Sequence, residues 1–298
     1  MERIVVFANG VRGAGLVKGL VASGHKVVGV IAPGSRIADE ALANAAEEAK
    51  VPLTHIDNVN SDDALEFLSS LKPDLGIIGG FSTIFKTPLI NLPRYGTINL
   101  HAGRVPEYRG GSPLNWQIIN GERDGYISVL KVDEGIDSGE LLGEKRFPID
   151  ESDTIVEAHE KANALFPVLV LDVLSELKKN GRLQGESQDH SKAVYWHQRS
   201  ESDGHILWRD LTARNVYDFV RALTRPYPGA YSYYKGEKIR IHTVSIPSHD
   251  ICGVPGRIIY VQGSGPYVIC RDKAVFLEAY EWASGVDKLS LRHGGRFE

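Results

Sequence analysis

The chain has 298 residues, 42% of them hydrophobic and 24% charged, with a formal net charge of −4. That length supports one large or two modest hydrophobic cores. The negative balance disfavours a general nucleic-acid binder, which carries a basic surface, and no apolar run reaches the ~20 residues of a membrane-spanning helix.

The N-terminus passes straight into a strand-like run and has no signal-peptide core, so a cytoplasmic chain with no membrane partner is expected. Residues 4–7 read as a buried strand, 11–23 as a helix, and 26–31 as a second strand. An Ala/Glu-rich helix follows over 38–50, then a short strand near 53–56. Residues 61–71 form a helix opened by Ser61, Asp62 and Asp63, which suit a helix N-terminus. Residues 75–78 are another buried strand. β-Branched strands separated by helices imply a parallel sheet covered on both faces. Such sheets bind ligands beyond the carboxyl ends of their strands.

The pattern changes after Asp150. Residues 154–179 read as a long amphipathic helix, 180–202 as a polar linker, and 212–224 as another helix. Short alternating runs at 238–244, 256–260, 267–270 and 274–281 suggest a small antiparallel barrel. A boundary is placed near residue 203. Cys252 and Cys270 have no partner motif nearby and read as packed thiols, with a single disulfide or a metal site as the alternatives.

Residues 9–15, NGVRGAG, invite a dinucleotide-binding reading. The glycine spacing is G-x-x-G-x-G, and the second strand ends in Ile31-Ala32-Pro33 without the acidic residue that holds a ribose. A nicotinamide enzyme is therefore disfavoured. Asn9 and Arg12, at a helix N-terminus, remain suited to a phosphate-bearing substrate.

Asn99 and His101 alternate along a strand-like run and share one face. An amide can donate to a developing oxyanion, and an imidazole can handle an amine's proton. The pair also fits a purely structural strand. Next comes AGRVPEYRGGSP over 102–113, where glycines allow close backbone approach and Arg109 could grip a phosphate. A plain surface loop fits it as well. A helix over 114–120 follows. In VDEGIDSGE, two glycines surround Asp137, whose carboxylate could orient His101 or simply cap a turn.

Taken together, Asn99-x-His101, the Arg-Gly loop and the Asp137 turn resemble the folate-dependent formyltransferase family. That family includes methionyl-tRNA formyltransferase, glycinamide ribonucleotide transformylase and the nucleotide-sugar N-formyltransferases. The resemblance runs along nearly the whole chain. It implies an α/β fold with a Rossmann-like parallel-sheet formyltransferase domain and linker over 1–203. A small open β-barrel (OB-like) accessory domain over 204–298 would follow. It implies 10-formyltetrahydrofolate as co-substrate and Asn99, His101 and Asp137 as the catalytic residues. It places the folate against Thr83, Ile84, Phe85, Leu130, Asp133, Glu134 and Ile136. Where relatives have a serine and leucines after the histidine, this chain has Ala102-Gly103-Arg104-Val105. No metal is expected, because no cluster has ligand spacing.

The acceptor is narrowed by the C-terminal half. Residues 220–231, with Arg225-Pro226-Tyr227-Pro228-Gly229, look like the accessory domain of sugar formyltransferases. Residues 57–60, DNVN, also resemble the aminoarabinose-modifying enzyme of lipid A. The segment Ala32-Pro33-Gly34-Ser35-Arg36 lacks the longer basic insertion of tRNA enzymes. The expectation is a nucleotide-linked amino sugar (dTDP-, UDP- or GDP-linked) as partner, no nucleic acid, and a role in bacterial surface glycans such as the lipopolysaccharide O-antigen. That sugar nucleotide would lie along Asn9, Arg12, Tyr108 and Arg109. A homodimer is expected from the same resemblance. Methionyl-tRNA formyltransferase is the alternative. A non-catalytic nucleotide-binding module and a hydrolase that passes the formyl group to water are the rivals from other classes.

Overall fold

A computed structural model describes residues 2–34, 39–285 and 290–298. Ser35 and Arg36 of the loop singled out above, and residue 38 at the start of the Ala/Glu-rich helix, lie outside the described residues.

The chain begins with β1 (Arg3–Ala8), α1 (Gly10–Ala22), β2 (Lys26–Pro33), α2 (Glu40–Glu48), β3 (Leu53–Ile56), α3 (Asp62–Ser70) and β4 (Leu75–Gly79). A short α4 (Thr87–Ile90) leads into β5 (Thr97–His101), a two-residue β6 (Arg109–Gly110) and α5 (Pro113–Ile119). Then come β7 (Asp124–Lys131), β8 (Leu141–Pro148), the long α6 (Ile155–Asn180) and a two-residue β9 (Tyr195–Trp196). The remainder holds α7 (Ala213–Leu223), β10 (Ala230–Tyr234), β11 (Glu237–Ser245), β12 (Ile258–Val261), β13 (Ser264–Ile269) and β14 (Ala274–Trp282).

The chain divides into two compact units. The first takes Met1–Pro113, Tyr126–Phe147 and Glu160–Trp196, and the second takes Leu114–Gly125, Pro148–His159 and His197–Glu298. Each unit therefore draws on more than one stretch of chain, which a single cut in the sequence does not express.

The first unit is built on a seven-stranded sheet in the order β3-β2-β1-β4-β5-β7-β8. The first five of these strands are mutually parallel, and β7 runs antiparallel to β5. β1 and β4 are almost wholly buried, as their continuous apolar sequences require. The order reverses between β1 and β4, the switch point at whose carboxyl end sheets of this kind bind ligands. One face is filled by Val5, Phe7, Ile31, Ile78, Phe81, Phe85 and Leu89. Phe7, Phe81 and Phe85 meet edge to face, with the Phe7 and Phe85 centroids 4.7 Å apart.

The second unit carries an antiparallel sheet in the order β10-β11-β14-β13-β12. The C-terminal segment reaches both edges: Phe297 bridges Tyr234 on β10, and Arg296 bridges Arg257 just before β12. α7 packs its buried Val216, Phe219, Val220 and Leu223 into the same core as Ile239, Ile241 and Val275. Thr212 caps α7, accepting from the Asn215 amide while Asn215 reaches back to the Thr212 amide.

Asp218 of α7 is 1% exposed and joins Arg214 and Arg221. Arg214 donates to it twice, at 2.8 and 2.9 Å, and Arg221 once, at 2.8 Å. Arg221 then donates to the carbonyls of Asp150 and Asp153. These bonds bind the 148–159 segment into the second unit.

Both cysteines are free, but they differ from the expected pair of packed thiols. Cys270 is buried while Cys252 is exposed. Burial, reinforced by the nearby Asp272 carboxylate, pushes the Cys270 thiol up to about 12. Among the described residues, no helix is long and apolar enough to cross a membrane.

Two outcomes follow from this packing. Asp218→Ala leaves a buried guanidinium uncompensated, so it should destabilise the second unit by about 3 kcal/mol. A fall of several degrees in the melting temperature followed by circular dichroism checks this. In the native chain, Cys252 should react readily with a thiol reagent and Cys270 only after denaturation; counting modified thiols by mass before and after unfolding tests the difference.

Candidate active site

β5 presents Asn99 and His101 on one face, and both side chains reach Asp137. Asn99 Nδ2 donates to Asp137 Oδ1 at 3.2 Å. His101 Nδ1 lies 3.4 Å from Asp137 Oδ2. The same oxygen accepts the Gly110 backbone N–H at 2.9 Å. One carboxylate thus gathers an amide, an imidazole and a backbone donor.

The imidazole is fixed from its other side as well. His101 Nε2 lies 2.5 Å from the Tyr108 carbonyl, which can only accept, so Nε2 carries a proton. A carboxylate at Nδ1 and a carbonyl at Nε2 hold the ring between them. His101 is 5% exposed, whereas the Asp137 side chain is 12% exposed and Asn99 is half-buried. The carboxylate and the amide, more than the imidazole, face outward.

The departure at Gly103 has a steric meaning. A Cβ there would stand 2.8 Å from His101 Nε2 and 2.8 Å from Pro113 Cβ. The Gly103 carbonyl accepts from buried Ser128 on β7 at 2.8 Å, which pins this loop under the histidine.

The Arg-Gly loop has a role different from the one its composition predicts. In place of an Arg109 that grips a substrate phosphate, the structure has an Arg109 only 1% exposed. Its Nε and Nη2 donate to Gln188 Oε1 at 3.0 and 2.6 Å, its Nη1 to the Tyr195 hydroxyl at 2.8 Å, and its Nη2 meets His190 Nδ1 at 3.2 Å. Tyr108 is also turned inward, 8% exposed and stacked on Trp196. Neither side chain is open to a substrate. The reason is β6, which pairs with β9 and draws the loop into the first unit. Gly110 adopts φ +94°, and a Cβ there would collide with the Trp196 carbonyl. Only glycine fits this pairing while aiming its N–H at Asp137.

Asn9 sits at the N-cap of α1 but makes no side-chain cap bond, and its buried Oδ1 has no hydrogen-bond partner. Arg12 lies along α6, donating to Asn163 at 3.2 Å with its guanidinium over the Phe166 ring.

The residues expected around the folate separate into two groups. Phe85 and Leu130 are 5% and 1% exposed, so their side chains belong to the core and do not face a ligand. Phe85 packs on Phe7 and Phe81, and Leu130 sits opposite Asn99 on β7. Ile84 and Ile136 are 73% and 53% exposed, and Thr83, Asp133 and Glu134 are exposed too. The two loops that carry them are tied by Thr87, which donates to Glu134 at 2.6 Å. Asp133 accepts from Ser138 and from the Gly135 amide, closing the turn ahead of Asp137.

Sequence reasoning missed Gln188 and gave Asn60 no role beyond its place in the DNVN stretch. Asn60 clamps the first loop, accepting from the Lys86 amide at 2.8 Å and donating to the Ile84 carbonyl at 2.9 Å. Gln188 lies in what reads as a polar linker, and its partners are far away in sequence, so no local pattern marks it. Among the described residues, no group of three or more His, Cys, Asp or Glu is placed to hold a metal ion.

Residues 2–174 match the formyl transferase family model, and residues 199–286 match that of the formyl transferase C-terminal domain. The methionyl-tRNA formyltransferase of Geobacter metallireducens is 29% identical over 87% of this chain and 84% of its own length. The bifunctional polymyxin resistance protein ArnA of Wigglesworthia glossinidia brevipalpis is 30% identical over 92% of this chain, which spans only 42% of that protein. An N-formyltransferase structure from Helicobacter canadensis, solved with folinic acid and dTDP-3-aminofucose, superposes with a TM-score of 0.70 at 15% identity, covering 93% of this chain and 98% of that one. HypX from Aquifex aeolicus gives a TM-score of 0.66 at 19% identity over 95% of this chain, which spans 44% of that larger protein. Two successive family matches of this extent lead to one assignment: the chain belongs to the formyl transferase family.

Proposed function

We propose that the chain moves a formyl group from 10-formyltetrahydrofolate to the amine of a nucleotide-linked amino sugar. The observation that carries the transfer chemistry is the convergence of Asn99, His101 and the Gly110 amide on the Asp137 carboxylate. Enzymes of this family draw the formyl group from a formyl-tetrahydrofolate.

The residues present suit that co-substrate. Exposed Ile84 and Ile136 offer apolar cover for a flat ring, and the exposed backbone of the 83–84 loop offers polar edges beside them. The co-substrate supplies the formyl carbon when bound. Asn99, at the end of β5, directs an amide N–H toward a developing oxyanion. Asp137 receives the proton that an attacking amine must shed and returns it, directly or through one water, to the folate nitrogen that leaves as its bond to the formyl carbon breaks. His101, with its Nδ1 3.4 Å from Asp137 Oδ2, keeps the carboxylate from turning away. No metal enters this scheme.

The acceptor reading rests on the acceptor side of the crevice. Asn9, half-buried at the end of β1 with its Oδ1 unpartnered and making no helix-cap bond, would meet an N–H of a nucleotide base or sugar once its side chain turns outward. The connection from β2 to α2 covers only residues 34–39, with Arg36 its single basic residue. A grip on a nucleic-acid backbone gains its affinity from several lysines and arginines. The second reading is methionyl-tRNA formyltransferase. The identity to such enzymes over most of the chain favours it.

Incubation with 10-formyltetrahydrofolate and a panel of dTDP-, UDP- and GDP-linked amino sugars should add one formyl mass to one member. Formylation of charged initiator tRNA, with no sugar modified, would replace the proposal by the second reading. In the productive reaction, His101→Ala should lower turnover by at least ~100-fold, and near-normal turnover would remove the histidine from the chemistry. Ile84→Asp should raise the folate KM by about 5-fold or more with a smaller change in kcat, since it takes apolar cover from a bound ring.

A further inference from the structure

Residues 181–196 follow α6 between the two family matches, within the 180–202 stretch that reads as a polar linker. In the structure it is a strap stitched to the first unit at both ends. Leu141 and Glu186 exchange two backbone hydrogen bonds, each 2.9 Å. Val194 donates to the Pro106 carbonyl, Arg109 to the Val194 carbonyl, and Gly111 to the Trp196 carbonyl. Trp196 Nε1 adds a bond to the Glu107 carbonyl at 3.0 Å.

Gln188 sits between these anchors with both ends of its amide in use. Its Oε1 takes two donors from buried Arg109. Its Nε2 donates to the Asp137 carbonyl at 3.0 Å and to the Gly139 carbonyl at 2.6 Å. Asp137 itself holds a left-handed backbone, φ +48°. Asparagine and aspartate tolerate that region better than most residues, yet it still needs support from its surroundings. Rotating this backbone by a few tens of degrees would swing the carboxylate away from Asn99 and the Gly110 amide.

We infer that Gln188, seated by Arg109, is a positioning residue for Asp137: it clamps the 137–139 backbone so that the carboxylate meets Asn99, His101 and the Gly110 amide. The inference rests on the proposed role of Asp137. The strap is then part of the catalytic unit. Arg109 acts one step further out, and its guanidinium fixes which end of the Gln188 amide faces the turn. An amide flipped end for end would point its carbonyl oxygen at two other carbonyls and its NH2 at a guanidinium.

The discriminating variant is Gln188→Glu. Its carboxylate keeps the acceptor for Arg109, so the strap stays anchored, but both N–H donors to the turn are lost. Gln188→Glu and Gln188→Ala should each lower kcat for amine formylation by about 10-fold or more, the scale of a misplaced reacting group. KM for both substrates should stay within about 3-fold, and Gln188→Glu should remain folded with a somewhat lower melting temperature, because an acceptor oxygen then faces two carbonyls. Amide exchange at Gly110, which reports on the Asp137 contact without any turnover, should speed up in both variants. A purely structural strap would give Gln188→Glu the kcat of the wild type and an unchanged Gly110 exchange rate, and that result overturns the inference. If the wild type formylates no amine, the functional reading fails, and the Gly110 exchange rate alone decides the positioning role.

Discussion

The Asp137 carboxylate is the point on which the site depends. It is the common acceptor for Asn99 from β5 and for the Gly110 amide from β6, and the charge opposite His101. Each of these groups loses its partner if the carboxylate moves, and a buried polar group without a partner costs about 1–3 kcal/mol. The sheet order explains why they can meet. β5 lies two strands from β1 and next to β4, so its carboxyl end lies beside the point where the strand order reverses. The 132–138 turn then brings the acid back over that end from β7, the antiparallel neighbour of β5.

Much of this architecture is legible in the sequence because its signals are local. Uninterrupted apolar runs mark β1 and β4, and a sustained helical period marks α6 within a residue of its ends. The i, i+2 spacing alone puts Asn99 and His101 on one face of a strand. β8 is harder to read. Its sequence LLGEKRFP alternates weakly, and it is an edge strand with one neighbour, so fewer of its positions are buried. β7 and β10 likewise escape a reading from local pattern alone.

Arg109 shows where local reading fails. An arginine followed by two glycines and bracketed by prolines has the composition of an exposed loop. Its burial is set by Gln188, His190 and Tyr195, about eighty positions later, in a segment whose polarity reads as solvent-facing. Long-range hydrogen bonds leave no periodicity behind. The polar residues of that segment are polar because they satisfy a buried guanidinium. An arginine that reads as exposed and a segment that reads as a linker are therefore two sides of one contact.

Asn9 presents the opposite case, a polar group that the fold leaves unsatisfied. Asparagine at an N-cap ordinarily accepts from the second or third amide of its helix, and that bond contributes about 1 kcal/mol. Here the residue occupies the N-cap, yet its Oδ1 is buried with no partner. The chain thus forgoes a stabilising cap and also bears the cost of a desolvated carbonyl. Serine or glycine at this position would cap or open the helix without that burden. On the proposed function, an N–H or O–H of the acceptor substrate at the carboxyl end of β1 gives that carbonyl the partner the fold withholds. Under the proposed function Asn9 would then select as well as bind, because an acceptor substrate that supplies no N–H or O–H there leaves the same carbonyl unpaired in the complex.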